Sequence, residues 1–145
     1  LAADGRLTAR VVASVGMEGG LVATGDKALL DPASRDTDAL VRAHAAKIFV
    51  DGVLEGETAA LLEPYIGRDG AAGTLIRQWE QLRALVVELD ARNVQVHMHA
   101  IGDRAVREGL DAIEAAREAN GERDNRHHIS HLQLIHPDDY PRFRQ

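Results

Sequence analysis

Four stretches of the chain run apolar or alternate, and each is bounded by Gly, Asp or Asn: residues 7–15, 47–53, 94–100 and 127–134. Such runs predict strands. Between them, hydrophobic positions recur at helical spacing. The strongest pattern covers 75–92, where Leu75, Trp79, Leu82, Val86 and Leu89 form one stripe, with Trp79 read as core. Residues 103–120 carry Val106, Leu110 and Ile113 on one face, and Gly121 follows as a stop. A shorter pattern over 36–46 puts Leu40, Val41 and His44 on one side, which predicts a helix there. A last helix is expected to start at His136-Pro137-Asp138-Asp139, with Pro in its first turn and acids beside it. The order β-α-β-α-β-α-β-α implies an α/β fold with parallel strands and right-handed crossovers. Four such units fit a small open sheet or half of an eight-unit barrel. One connection, 54–73, is ~20 residues long, a length more often functional than idle.

The faces of the strands sharpen this choice. Side chains alternate sides along a strand. In 94–100 one side is Val94, Val96, Met98 and Ala100, and the other is Gln95, His97 and His99. In 47–52 the apolar side is Ile48 and Val50, and the other is Lys47, Phe49 and Asp51. A doubly wound sheet is apolar on both faces. A polar second face favours a barrel whose interior holds a site. In 127–133, His127, Ile129 and His131 alternate with His128, Ser130 and Leu132, so a one-residue slip decides which way His131 points.

Composition removes several chemistries. The chain has 145 residues, with 17 Lys and Arg against 23 Asp and Glu, a net charge of −6 that speaks against a duplex nucleic-acid binder. It has no Cys, which excludes disulfides, thiolate metal sites and a thiol nucleophile. No run approaches the ~18 apolar residues that span a bilayer. Nothing reads as a signal peptide, and the expectation is a cytoplasmic protein that contacts neither membrane nor nucleic acid. No phosphate-binding glycine loop or nucleophile elbow is present.

Five of the seven His lie in two strand segments, as His97 and His99 and as His127, His128 and His131. Neutral imidazole is the commonest metal ligand. His99 and His131, at the ends of neighbouring parallel strands, would converge on one point; the plainer alternative is strand-end histidines satisfied by backbone or water. Lys47 shares a face with Asp51, and either pairs with it, reaches solvent, or is buried. A buried lysine has a lowered pKa, and its neutral amine can add carbon dioxide to give a metal-bridging carbamate. Asp51-Gly52 reads as a turn. Asp103 reads first as a cap for the helix it opens, and also as a residue placed to orient a ligating His. Glu55, Glu57 and Glu63 read as solvated.

Lys47-Ile48-Phe49-Val50-Asp51-Gly52-Val53, followed by Thr58-Ala59-Ala60-Leu61-Leu62-Glu63-Pro64-Tyr65, resembles a segment of the metal-dependent amidohydrolase superfamily. Within it, the branch of N-substituted formamide deformylase is the most similar. His97-Met98-His99-Ala100-Ile101-Gly102-Asp103-Arg104-Ala105 and Ile129-Ser130-His131-Leu132-Gln133 resemble the same branch, in the same order. The resemblance spans Lys47 to about Phe143.

The resemblance implies a partial (β/α)8 TIM barrel, about four βα units, with a metal site at the C-terminal mouth of its strands. Lys47 falls at the fourth-strand lysine, carboxylated when it bridges two metals. His99 and His131 fall at the fifth- and sixth-strand histidine ligands. His97, one pleat deeper, is not a ligand in that pattern. From their own places on the strands and at the helix start, His97, Asp51 and Asp103 are expected to support the ligands. Ser130 stands where the family usually has Glu. The implied cofactor is a divalent metal, Zn, as one or two ions, and the implied partner is a small-molecule substrate. The implied activity is hydrolysis of non-peptide C–N bonds, amide or formamide in type, by metal-activated water.

The family's first-strand His-x-His is not found in residues 1–46, and its last-strand Asp, the expected general base, would lie beyond Gln145. Residues 1–145 are therefore expected to be part of a catalytic domain, inactive alone and prone to self-association through open sheet edges. Two alternatives remain. One is a non-catalytic binding or regulatory module that keeps the barrel without metal. The other is a different hydrolysis, deamination or lactone opening, on the same ligands.

Overall fold

A computed structural model describes residues 4–17, 36–38 and 40–144. Its strands are β1 (Val11–Gly16), β2 (Asp36–Asp38), β3 (Val41–Phe49), β4 (Gln95–Ala100) and β5 (His128–His131). Its α-helices are α1 (Trp79–Ala91) and α2 (Asp103–Asn120), and a 3-10 helix covers Pro137–Arg144. Strands β1, β3, β4 and β5 lie side by side in that order, all parallel, and β2 makes a short antiparallel pairing with β3. The architecture is α/β, a parallel sheet with helices packed on it, as in a partial TIM barrel.

The helix-covered face is the apolar one. Ile48 and Val50, at the end of β3 and just past it, and Val96, Met98 and Ala100 of β4 are each at most 1% exposed. They pack with Leu82, Val86 and Leu89 of α1 and Val106 and Leu110 of α2. Apart from Ala100, each such side chain stabilises the fold by roughly 1.5–3 kcal/mol. Gly109 lets α2 approach closely: a Cβ there would sit 3.2 Å from Ile129 Cδ1.

The helix expected over 36–46 is not formed. Asp36–Asp38 and Val41–Phe49 are extended, and among the described residues strand and helix alternate from β3 onward. The Ala-rich sequence of this stretch favours a helix locally, but pairing on both sides overrides that preference. Val41 and Arg42 pair with Val11 and Val12 of β1, and Ala45 and Ala46 pair with Gln95 and Val96 of β4. Residues 18–35 and 39 lie outside the described residues.

Other elements differ at their ends. The helix expected from 75 begins at Trp79, because the Ile76 N–H donates to the Val50 carbonyl at 2.8 Å and keeps the chain extended. The strand expected over 127–134 is four residues long. The last helix is 3-10 rather than α, with Pro141 inside it, where a missing N–H breaks the α-helical ladder.

Candidate functional site

Register places the polar residues. On the face away from the helices, Lys47 is the cross-strand partner of His97, His97 of His128, and His99 of Ser130. Lys47, His97, His99, His128 and Ser130 therefore share one side of the sheet. His131 pairs with Ala100, which by strict alternation would turn it to the helix side. The chain leaves the pleat there instead. His131 and Leu132 take φ of 82° and 50°, in the left-handed region, and the His131 ring comes to lie 4.5 Å from the His99 ring, edge to face.

Contacts run through the cluster. Lys47 Nζ lies 3.3 Å from His97 Nε2, and His97 Nε2 lies 2.6 Å from Ser130 Oγ. The His97 and His128 rings stack at 4.2 Å. Phe49 sits between two candidate ligands, its ring 5.1 Å from Lys47 Nζ and 5.1 Å from the His99 ring. Among the described residues no carboxylate pairs with Lys47. Burial lowers its pKa, which raises the share of neutral amine. Burial also lowers the His97 pKa, helped by the positive charges of Lys47, His128 and His131, so this ring favours its neutral form.

Asp51 is occupied elsewhere. It is 1% exposed and accepts three backbone N–H groups, from Ala60 and Gly102 at Oδ2 (3.0 and 2.8 Å) and from Ile101 at Oδ1 (3.0 Å). His99 Nε2 lies 2.9 Å from the Gly52 carbonyl and 3.6 Å from Asp51 Oδ1. Both oxygens only accept, so Nε2 carries a proton, and in the neutral ring the lone pair falls to Nδ1.

Asp103 is the first residue of α2, which Gly102 caps without a side chain. Its carboxylate accepts the Arg104 N–H and, at 2.9 Å, the N–H of Leu62 in the long connection. That connection is pinned at the mouth. The Ala60 carbonyl accepts from Arg104 and Ala105, and a Cβ on Gly102 would collide with it. Among the described residues no three His, Asp or Glu side chains meet as a metal-holding group. Lys47, His99 and His131 do lie on one side of the sheet, linked through His97 and Phe49.

His127 stands apart from the other strand histidines. Its Nδ1 accepts the Val96 N–H at 3.0 Å, and its Nε2 donates to Asp90 at 2.9 Å, at the opposite end of β4. The Gly52 carbonyl and the backbone donors around Asp51 have no signal in the sequence, because they exist only once three segments meet. Ser130 has one: it departs from the wording of the family that the sequence resembles, next to His131, an expected ligand.

The profile of the amidohydrolase family matches residues 1–145. Protein LONG AFTER FAR-RED 3 of Arabidopsis thaliana is 37% identical over 99 residues, 68% of this chain and 17% of that protein. The putative amidohydrolase YtcJ of Bacillus subtilis (strain 168) is 39% identical over 91 residues, 63% of this chain and 17% of that protein. The crystal structure of an uncharacterized metal-dependent hydrolase from Pyrococcus furiosus superposes with a TM-score of 0.75 at 30% identity, covering 98% of this chain and 28% of that one. The chain thus spans 17% of the length of these two curated relatives.

Proposed function

The chain belongs to the amidohydrolase family, and on that premise we propose that its 145 residues are part of the catalytic barrel of a metal-dependent hydrolase. The reaction is hydrolysis of a non-peptide C–N bond in a small amide, with the formamide deformylase branch as the nearest functional guide. The observation that supports this best is the grouping of Lys47, His99 and His131 on one side of parallel strand ends, with no described carboxylate neutralising the lysine.

The donor chemistry suits zinc or a similar divalent ion. His99 offers the lone pair of Nδ1, because Nε2 is committed to Gly52. His131 offers its ring beside it. Lys47, once carboxylated through its neutral amine, offers oxygen. A divalent ion bound there supplies Lewis acidity, lowering the pKa of a water toward ~7 and polarising a carbonyl. His97 and Ser130 hold the lysine end in place. Asp103 fastens the connection that shapes the substrate pocket, and Phe49 gives that pocket an apolar wall, 43% exposed.

Elemental analysis and a panel of N-acyl and N-formyl amides, applied to the full-length protein that carries this chain, test the reading. The expected result is stoichiometric zinc or a similar ion retained through gel filtration, with hydrolysis abolished in Lys47→Met, His99→Gln and His131→Gln. The 145 residues alone are expected to turn over no amide. A full-length protein without metal and without turnover would leave a binding module instead, and turnover restricted to lactones would change the reaction class.

A further inference from the structure

We propose that Asp51 is a positioning residue for His99: its carboxylate and the Gly52 carbonyl lock the ring with its proton on Nε2, and the same carboxylate ties that ring to the long connection. The use of the free Nδ1 as a ligand rests on the proposed function; the locking itself does not.

The geometry leaves Nε2 of His99 little choice. Asp51 and His99 side chains are 0% and 9% exposed, so water does not compete freely there. A lone pair on Nε2 would face an acceptor at 2.9 Å and a carboxylate oxygen at 3.6 Å. A proton on Nε2 completes the hydrogen bond to Gly52 and turns its positive end toward the carboxylate. The ring is held from the backbone side as well. Asp51 accepts from Ile101 and Gly102, directly after the strand that carries His99, while the Val50 N–H donates to the His99 carbonyl at 3.0 Å.

A clamp that served stability alone would need only the three backbone bonds. The placement of Oδ1 near the imidazole, with Gly52 next in sequence supplying the second acceptor, adds orientation. The bond from Ala60 to Oδ2 then couples the connection to the ring: displacing residues 59–61 pulls on the carboxylate that faces His99. Supporting groups of this kind typically alter metal affinity about 10–100-fold when removed.

The test reads the ring directly, by two-bond ¹⁵N–¹H correlation on metal-free, ¹⁵N-labelled full-length protein at about pH 8, above the ordinary imidazole range. The His99 signals are assigned by their loss in His99→Gln. The expected result is a protonated Nε2 and an unprotonated Nδ1. Asp51→Asn, whose amide turns a donor toward backbone N–H groups, is expected to populate both ring forms and to weaken zinc binding about tenfold or more. Asp103→Asn removes the bond to Leu62, outside residues 59–61, and keeps the Ala60 bond to Asp51, so it is expected to leave the ring form unchanged. A proton on Nδ1 of His99 in the unsubstituted protein overturns the proposal, whether or not Asp51→Asn folds. So does a folded Asp51→Asn protein with the original ring form and unaltered zinc affinity. If the ring behaves as stated while the protein takes up no zinc, the positioning role stands and the metal-dependent reading falls.

Discussion

The two ends of the sheet carry similar residues and treat them in opposite ways. At the N-terminal end of β4, His127 is bonded at both ring nitrogens, to Val96 and to Asp90. Asp90, 4% exposed at the end of α1, also accepts from Asn120 and Asn125. His127 and Asp90 thus complete one another, together with the two asparagines. At the C-terminal end, Lys47, His97, His99 and His131 lie together without a described carboxylate facing the lysine, and the buried Asp51 spends its oxygens on three backbone donors and the nearby His99 ring. Buried polar groups that complete one another serve stability. A cluster of lone pairs and an amine, left short of negative charge, is the arrangement that a metal ion would complete on the proposed function.

This contrast is most open to attack through stability. Asp90→Ala leaves three side-chain donors and the nearby Arg123 facing a gap, and is expected to cost about 3 kcal/mol in urea denaturation. Lys47→Met, at the other end, is expected to change stability by less than ~1 kcal/mol, since it removes no paired charge. Equal losses in the two variants would erase the distinction.

A finer probe is pH. Burial pushes the Asp90 carboxyl up, but hydrogen bonds from Asn120, Asn125 and His127 outweigh it and hold it below the ordinary carboxylate range. Its stabilisation is therefore complete above the unfolded value, about 3.9, and lost as pH falls through the lower native one. His97 is a base held below its ordinary value, chiefly by burial. Between that native value and about 6.5 the unfolded chain binds more protons, so stability also falls on acidification there, in a higher window. Asp90→Asn is expected to flatten only the lower limb of a stability–pH curve, and His97→Gln only the upper. A single limb that both variants remove would show that the two ends titrate as one.

The apolar and polar faces of β3 and β4 were legible in the sequence because alternation is a local property: Ile48, Val50, Val96, Met98 and Ala100 need only their neighbours to be read. The helices over 79–91 and 103–120 were legible for the same reason, through their stripes. Residues 41–46 were not, since their extended form comes from partners on both sides that lie far away in the chain. His131 shows a subtler limit. Counting along β5 puts it on the wrong side, and only the left-handed φ at its position brings its ring to His99. The separation of His127 from the other histidines was likewise hidden, because its partner Asp90 belongs to a helix 37 residues earlier.

The smallest expected effect concerns Ser130, which lies 2.6 Å from His97 Nε2 in a cluster that already holds Lys47. A hydroxyl there accepts or donates and carries no charge, so it leaves the excess of positive groups unbalanced. Ser130→Glu introduces a carboxylate into that cluster. An opposite charge within ~4–6 Å favours the protonated forms of both bases. The His97 pKa is then expected to rise, and the upper limb of the stability–pH curve should shrink or reverse. Ser130→Ala, which removes the hydroxyl without adding charge, is expected to leave that limb in place and cost no more than ~1 kcal/mol. An NMR titration that finds the same His97 pKa in the Glu and Ala variants would mean that solvent screens this end of the sheet, and that its shortage of negative charge has no consequence for the groups it surrounds.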